Sequence, residues 1–265
     1  MRVELVAATY QKPEYLRLAL SCVAQQVVLP DQVCVADDGS DGRTAAVLAE
    51  FANLPLRHVW HADQGFRKTR ILNEAVRTSG ADYVIFIDDD CLMHPCFVQR
   101  HLQLARRDRF VTGSVIRLNG AMTQGLLAAG KVVWAEGRLP GWQAAGVSDW
   151  LKAMPLPPGV MGVLDALSPI RRSWAGGNAG TFRDNILKVN GFDETMAYGG
   201  EDKEFGIRLG NAGIRGVTLR YSAPLYHLDH ARGYVEPEVQ RRNRAMIAAA
   251  RAAGKTWTDQ GIEPG

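Results

Sequence analysis

The sequence predicts an α/β protein built on an open sheet flanked by helices, and three observations point there. The chain opens strand, helix, strand, the pattern of a parallel α/β unit. Both of those strands end in polar residues, and open α/β sheets gather ligands at the carboxyl ends of their strands. A later apolar run, Tyr83, Val84, Ile85, Phe86 and Ile87, has the branched and aromatic content of a buried strand and stops at Asp88, Asp89 and Asp90.

In order, Val3 to Ala8 is the first strand, and Thr9, Tyr10, Gln11, Lys12 and Pro13 turn into a helix from about Glu14 to Gln26. Pro13 suits a first helical turn, and Leu16, Leu20 and Val23 recur on one face. Gln32 to Ala36 is a second strand, ending at Asp37, Asp38, Gly39 and Ser40. A dinucleotide-binding turn would place G-x-G-x-x-G after the first strand; TYQKPE stands there instead, which argues against NAD or FAD. Thr44 to Phe51 reads as a helix, Leu56 to Trp60 as a strand and Thr69 to Thr78 as a helix closed by Ser79 and Gly80 before the aspartate strand. A helix follows Pro95 through about Arg107, and Arg109 to Ile116 is a strand. From Leu118 to Arg172 the periodicity weakens, and the stretch from Leu156 through Gly159 reads as a loop. A connection of this length suggests a lid or specificity segment, in which Trp134, Trp142 and Trp150 serve the core or face a sugar ring. Phe182 to Asn190 reads as a helix closed by Gly191, another helix starts at Glu201, and Val217 to Tyr221 is a late strand. Glu236 to Lys255 forms a basic helix; such a helix can rest on anionic lipid, whereas its alanine-rich face suits packing on the domain.

Composition narrows the class. With 46% hydrophobic and 22% charged residues the chain is an ordinary globular protein. The net charge of +3 is mild and dispersed, so no nucleic-acid partner is expected. Cys22, Cys34, Cys91 and Cys96 lack both the paired spacing of a zinc site and the density of a disulfide scaffold, and read as reduced thiols in a cytoplasmic protein. Neither a secretory segment nor an apolar run near the ~20 residues of a membrane span is visible.

Three adjacent carboxylates need a counter-charge: a divalent cation, a basic side chain or open water. A hard cation is held by one or two carboxylates together with substrate phosphates, so the strand end suits a metal and a nucleotide diphosphate; a solvated acidic turn is the alternative. Arg67, Lys68 and Arg70 precede that strand and suit a phosphate or solvent equally. Gly176 and Gly177 let the backbone come close to another group. Glu201 and Asp202 follow Gly199 and Gly200 at a helix start, where acids also complement the helix dipole. His227 and His230 are three apart, so both reach one ion only if the chain bends.

Taken together, AATYQKPEYLRLAL, VCVADDGSDGRT and the DDD strand end resemble the nucleotide-binding half of inverting family 2 glycosyltransferases, which have the GT-A fold, a Rossmann-like sheet flanked by helices. GGNAGTFRDNILKVNGFDE and YGGEDKEFGIRLGNAG resemble the acceptor-side half shared by beta-1,4-galactosyltransferases, polypeptide GalNAc-transferases and bacterial chondroitin polymerases. The two resemblances cover roughly Val3 to Gly113 and Trp174 to Tyr234. They imply one continuous GT-A domain: residues 1–117 for the nucleotide sugar, 118–172 as a variable connection, 173–235 for the acceptor and the base, and 236–265 as a C-terminal helix and tail.

By resemblance, Thr9, Tyr10 and Asp38 line the uracil and ribose pocket, and Arg70 with Lys68 lies by the nucleotide. Asp88, Asp89 and Asp90 form the D-x-D element, with Asp90 on the metal, Mn²⁺ or Mg²⁺, and Asp89 near the ribose; Gly176 and Gly177 belong to the nucleotide-sugar site. Asp202 is the catalytic base and Glu201 holds the acceptor sugar. His230 matches the histidine of the galactosyltransferase Met-x-x-His metal pair, and His227 stands in place of its methionine. Gln11 and Ala8 also depart from the family pattern. The implied activity is metal-dependent, inverting transfer of a hexose or N-acetylhexosamine from a UDP-sugar to a glycan. A nucleotidyltransferase making sugar nucleotides and a silent sugar-binding domain are the competing classes.

Overall fold

The structure, a computed structural model, describes residues 1–135, 139, 152, 158–169, 173–231 and 236–263. Trp142 and Trp150, and much of the expected variable connection, lie outside the described residues. A seven-stranded sheet dominates, with β1 (Val3–Thr9), β2 (Gln32–Asp37), β3 (Leu56–Trp60), β4 (Tyr83–Asp88), β6 (Arg109–Thr112), β8 (Asn178–Phe182) and β9 (Arg215–Thr218) in the order β3-β2-β1-β4-β8-β6-β9. Strands β3, β2, β1 and β4 run parallel, and β8 is antiparallel to both neighbours. A small second sheet orders β5 (Cys91–Met93), β10 (Leu225–His227) and β7 (Val115–Arg117) as β5-β10-β7.

Helices cover both faces. The face holding α1 (Pro13–Val23) and α2 (Gly42–Glu50) buries Leu16, Leu20, Val23 and Val47 against Leu5, Val33 and Ile85. The other face holds α3 (Lys68–Arg77), whose Ile71, Leu72, Ala75 and Val76 pack with Val6, Cys34 and Phe86. The four cysteines are free, and no helix among the described residues is long and apolar enough to cross a membrane.

Several elements depart from the sequence expectation for physical reasons. Arg109 to Ile116 is two strands in different sheets, because the chain turns at Gly113, where a Cβ would collide with the Asn178 side chain. Phe182 ends strand β8, which the small residues of NAGTF conceal, and the following helix α7 spans only Arg183–Lys188. Two helices occupy the region of weak periodicity, α5 (Gly120–Ala129) and α6 (Pro158–Leu167), the latter where a loop was expected. Met122, Leu126 and Leu127 of α5 are only partly buried against the core, and each helix has one buried polar anchor. Thr123 of α5 is buried and accepts from Asp229 N at 2.9 Å, and Asp165 of α6 is buried and accepts from Tyr221 N at 2.7 Å. Hydrophobic periodicity cannot reveal a helix held by a polar side chain. The α4 helix (Phe97–Leu104) is shorter than expected, ending before Arg107.

The acidic helix α8 (Glu201–Asn211) and the C-terminal helix α9 (Pro237–Ala252) pack together, with Asn243 and Ala250 buried. The inner face of α9 is thereby occupied, as the packing alternative expects. Within α8, Arg208 and Glu204 form a fully buried ion pair, and Arg208 Nη1 also donates to the Val189 carbonyl.

Candidate active site

The site forms at the carboxyl edge of β2, β1 and β4, where register places Thr9 beside Asp37 and Ala8 beside Asp88. Asp38 N donates to Thr9 O at 3.0 Å and Asp89 N to Ala8 O at 2.9 Å, so both acidic ends are tied to β1. Thr9 Oγ1 donates to Asp89 Oδ2 at 2.7 Å. Burial and the neighbouring Asp90 push the Asp89 carboxyl up to about 7. Asp38 is buried with both oxygens engaged, by His61 Nε2 at 2.7 Å and Arg67 N at 2.9 Å, and burial raises its pKa. Tyr10 is exposed and donates to Asp63 at 2.9 Å.

At the end of β4, three successive aspartates take three directions. Asp88 pairs with Lys68 Nζ at 2.5 Å, Asp89 takes Thr9, and Asp90 faces His230 Nε2 at 2.8 Å. Because β8 is antiparallel to β4 with Asn178 opposite Ile87, the preceding Gly176 and Gly177 arrive beside Asp88. A Cβ on Gly177 would stand 2.7 Å from Asp88 Oδ2, and one on Gly176 would collide with the Asp202 carboxylate. The close approach expected of these glycines is therefore made to Asp202 and Asp88.

Asp202 sits in the first turn of α8 with its Oδ1 buried and without a hydrogen-bond partner. Burial, Glu201 and Asp88 push its carboxyl up to about 7, against the pull of Lys68. Burial opposes charge on Lys68, but Asp88, Asp202 and Glu201 hold its pKa well above the usual ammonium value. Glu201 is buried and accepts from Gly199 N at 2.9 Å. The loop before it has Gly199 at φ 104° and Gly200 at φ 113°, in the left-handed region that favours glycine. Asn243 of α9 holds that loop, donating to Ala197 O at 2.8 Å and Gly199 O at 3.1 Å.

The histidines arrive through the small sheet. Strand β5 leaves directly from Asp90 and pairs antiparallel with β10, which sets His227 opposite Cys91. Leu228 N then donates to Asp90 O at 2.9 Å, and the chain bends so that the His227 and His230 rings stack 5.4 Å apart. Ligand atoms of Asp90, His227 and His230 lie within 4.8 Å of one another. Despite its burial, Asp90 is held well below the usual carboxylate range by His230, His227 and Lys12, whose Nζ is 3.8 Å away. Lys12 and His61 were passed over in the sequence, although Lys12 stands in the expected ligand-binding turn. Arg70 is exposed and lines a side cavity with Trp60 and His61, while Lys68 reaches the carboxylates.

Residues 5–135 match the model described as glycosyl transferase family 2, and residues 168–231 match the N-terminal domain of galactosyltransferase. The chain carries a family 2 glycosyltransferase domain. Its two matched segments are those that meet at the site, the first bringing Asp38, Lys68 and Asp88 to Asp90, the second Gly176, Asp202, His227 and His230. Among curated relatives, this chain is similar to a chondroitin synthase of Escherichia coli, 26% identical over 78% of this chain and 32% of the relative. It is also similar to a hyaluronan synthase of Pasteurella multocida, 27% identical over 84% of this chain and 24% of the relative. The chain thus spans about a third or less of the length of these relatives. Solved structures with the same GT-A fold include S. aureus TarS 1-349 in complex with UDP-GlcNAc, with a TM-score of 0.60 at 16% identity over 96% of this chain and 69% of that one. The mannosyltransferase PcManGT from Pyrobaculum calidifontis, in complex with GDP-Man and Mn²⁺, has a TM-score of 0.58 at 17% identity over 95% of this chain and 75% of that one.

The donor set of the glycosyltransferase fits a divalent cation. One carboxylate and two imidazoles converge, and His230 Nδ1 lies 3.0 Å from the Ala231 carbonyl, which orients Nε2 toward Asp90. Three donors are fewer than a divalent cation takes, so such a set could be completed by oxygens from a substrate.

Proposed function

We propose that this glycosyltransferase is metal-dependent and inverting, moving a hexose or N-acetylhexosamine from a UDP-sugar to a hydroxyl of a glycan acceptor by single displacement. The observation that carries the reading is the buried, unpartnered Oδ1 of Asp202, whose carboxylate shares the charge of Lys68 with Asp88. A proton acceptor in an inverting transfer must be a carboxylate near neutral pH, close to the donor phosphates but not consumed by them. Asp202 keeps one oxygen without a partner, and its carboxyl, raised to about 7, is poised to take up a proton near neutral pH.

Asp90, His230 and His227 would hold Mn²⁺ or Mg²⁺, and the two imidazoles favour Mn²⁺, since Mg²⁺ prefers oxygen ligands alone. The charge such a cation would supply suits a departing diphosphate, so that no acid would be required on that side. Thr9, Tyr10 and Asp38 receive the nucleoside, and Asp89, held by Thr9, faces the ribose. The acceptor hydroxyl attacks the anomeric carbon from the face opposite the nucleotide. Its proton passes to Asp202, and the bond from that carbon to the diphosphate oxygen breaks with its electron pair leaving on the oxygen. Glu201, fixed by Gly199 N, orients the acceptor. The names of the chondroitin and hyaluronan synthases support a glycan acceptor, and the UDP-GlcNAc complex of TarS supports a UDP donor.

Asp202→Asn tests the assignment. UDP and Mn²⁺ binding measured by calorimetry should stay near the parent value, while kcat for transfer falls by about a hundredfold or more, the scale of a lost general base. Transfer at the parent rate in this variant would remove Asp202 from the role.

A further inference from the structure

Beside the site lies a cavity of about 480 Å³, within the size range of small-ligand sites. The end of β3 supplies Trp60 and His61, α3 supplies Arg70, and Glu194, Asp259 and Gln260 close it from the C-terminal half. Trp60 is 54% exposed, yet its Nε1 donates to Ser40 O at 3.0 Å, so the indole is held in place with ring surface uncovered. An exposed, immobilised aromatic ring is an unusual use of so large an apolar group. Arg70, Asp259 and Gln260 make no side-chain hydrogen bond or ion pair among the described residues.

The charges narrow the ligand. Arg70 and Arg77 are outnumbered by Glu74, Glu194 and Asp259, so a polyanion such as a nucleotide diphosphate gains no net attraction here. A flat apolar surface next to donors and acceptors of both signs suits a pyranose, which presents a C–H face to an aromatic ring and hydroxyls to its rim. We propose that the cavity is a saccharide subsite that takes a neutral hexose unit of a glycan, with Trp60 under the ring and Arg70, Asp259 and Gln260 on its hydroxyls. His61, bonded to Asp38, separates this subsite from the nucleoside end of the active site. That the bound glycan is a distant part of the acceptor rests on the function proposed above.

The test is calorimetric titration of the full chain with chitotetraose, cellotetraose and maltotetraose, without nucleotide, alongside a UDP titration. The parent should bind at least one of the three. Asp259→Ala/Gln260→Ala should weaken that binding by about tenfold, and Trp60→Ala by a similar factor, with UDP affinity unchanged in the double variant. Equal binding by parent and both variants, or none by the parent, overturns the subsite. So does loss of UDP binding in the double variant, which would make the cavity part of the nucleotide pocket. If the binding differences hold but neither parent nor variant transfers sugar from any UDP-sugar, the proposed function fails and the subsite stands.

Discussion

Asp202 and Gly176 are in close contact, because a methyl group on residue 176 has no space that the carboxylate does not already fill. Gly176→Ala should therefore displace Asp202 and lower kcat by about tenfold or more while UDP affinity stays close to the parent, as steady-state kinetics and calorimetry would show. The pH dependence follows from the same group. Asp202 must be ionised to accept a proton, and its carboxyl is raised to about 7, so kcat/KM should rise with pH through that region and fall about tenfold per unit below it. A profile flat from pH 5 to 8 would count against this. At this scale the sequence was partly legible. Three adjacent aspartates require counter-charges, and Lys68, Lys12, His227 and His230 surround them. Which aspartate meets which partner was not legible, since successive side chains leave a strand end in different directions. Arg70 and Lys68 show the same limit: two positions on a helix are separated by roughly 200°, and only one of them faces the carboxylates.

Among elements, the C-terminal helix has the least obvious task. Its Asn243 is fully buried and donates to carbonyls of the two-glycine loop that delivers Glu201 and Asp202, and Ile247 Cδ1 would stand 2.7 Å from a Cβ on Gly200. Asn243→Ala should leave those carbonyls unpaired, destabilising the fold by about 1–3 kcal/mol in urea unfolding. Its larger effect should be on kcat rather than on UDP affinity, because the loop positions the base and not the nucleotide. Apart from β5, the strands and helices of the first hundred residues were legible because the strands are short apolar runs that end in polar residues and the helices carry apolar residues that recur on one face. Strand β8 was not, since Asn, Ala and Gly carry little strand signal, and α5 and α6 were not, since their most buried positions include the polar Thr123 and Asp165.

For the whole molecule, the open α/β architecture was predictable from the opening strand-helix-strand pattern, but the pairing of late strands with early ones was not, because register across a sheet leaves no local trace. One expectation belongs at this scale. With Mn²⁺ present, UDP at about a hundred times its Kd should raise Tm by roughly 5 to 10 °C, and most of that shift should vanish in EDTA. An equal shift with and without chelator would remove the metal from nucleotide binding.

Strand β8 begins near residue 178 yet lies between two strands made before residue 113, hydrogen-bonded to both. Exchanging the second half of this chain for that of a relative is thus sheet replacement, not a swap of modules. The incoming piece must bring its own middle strand, matched residue for residue to β4 and β6, or the host is left with a slot open through its centre.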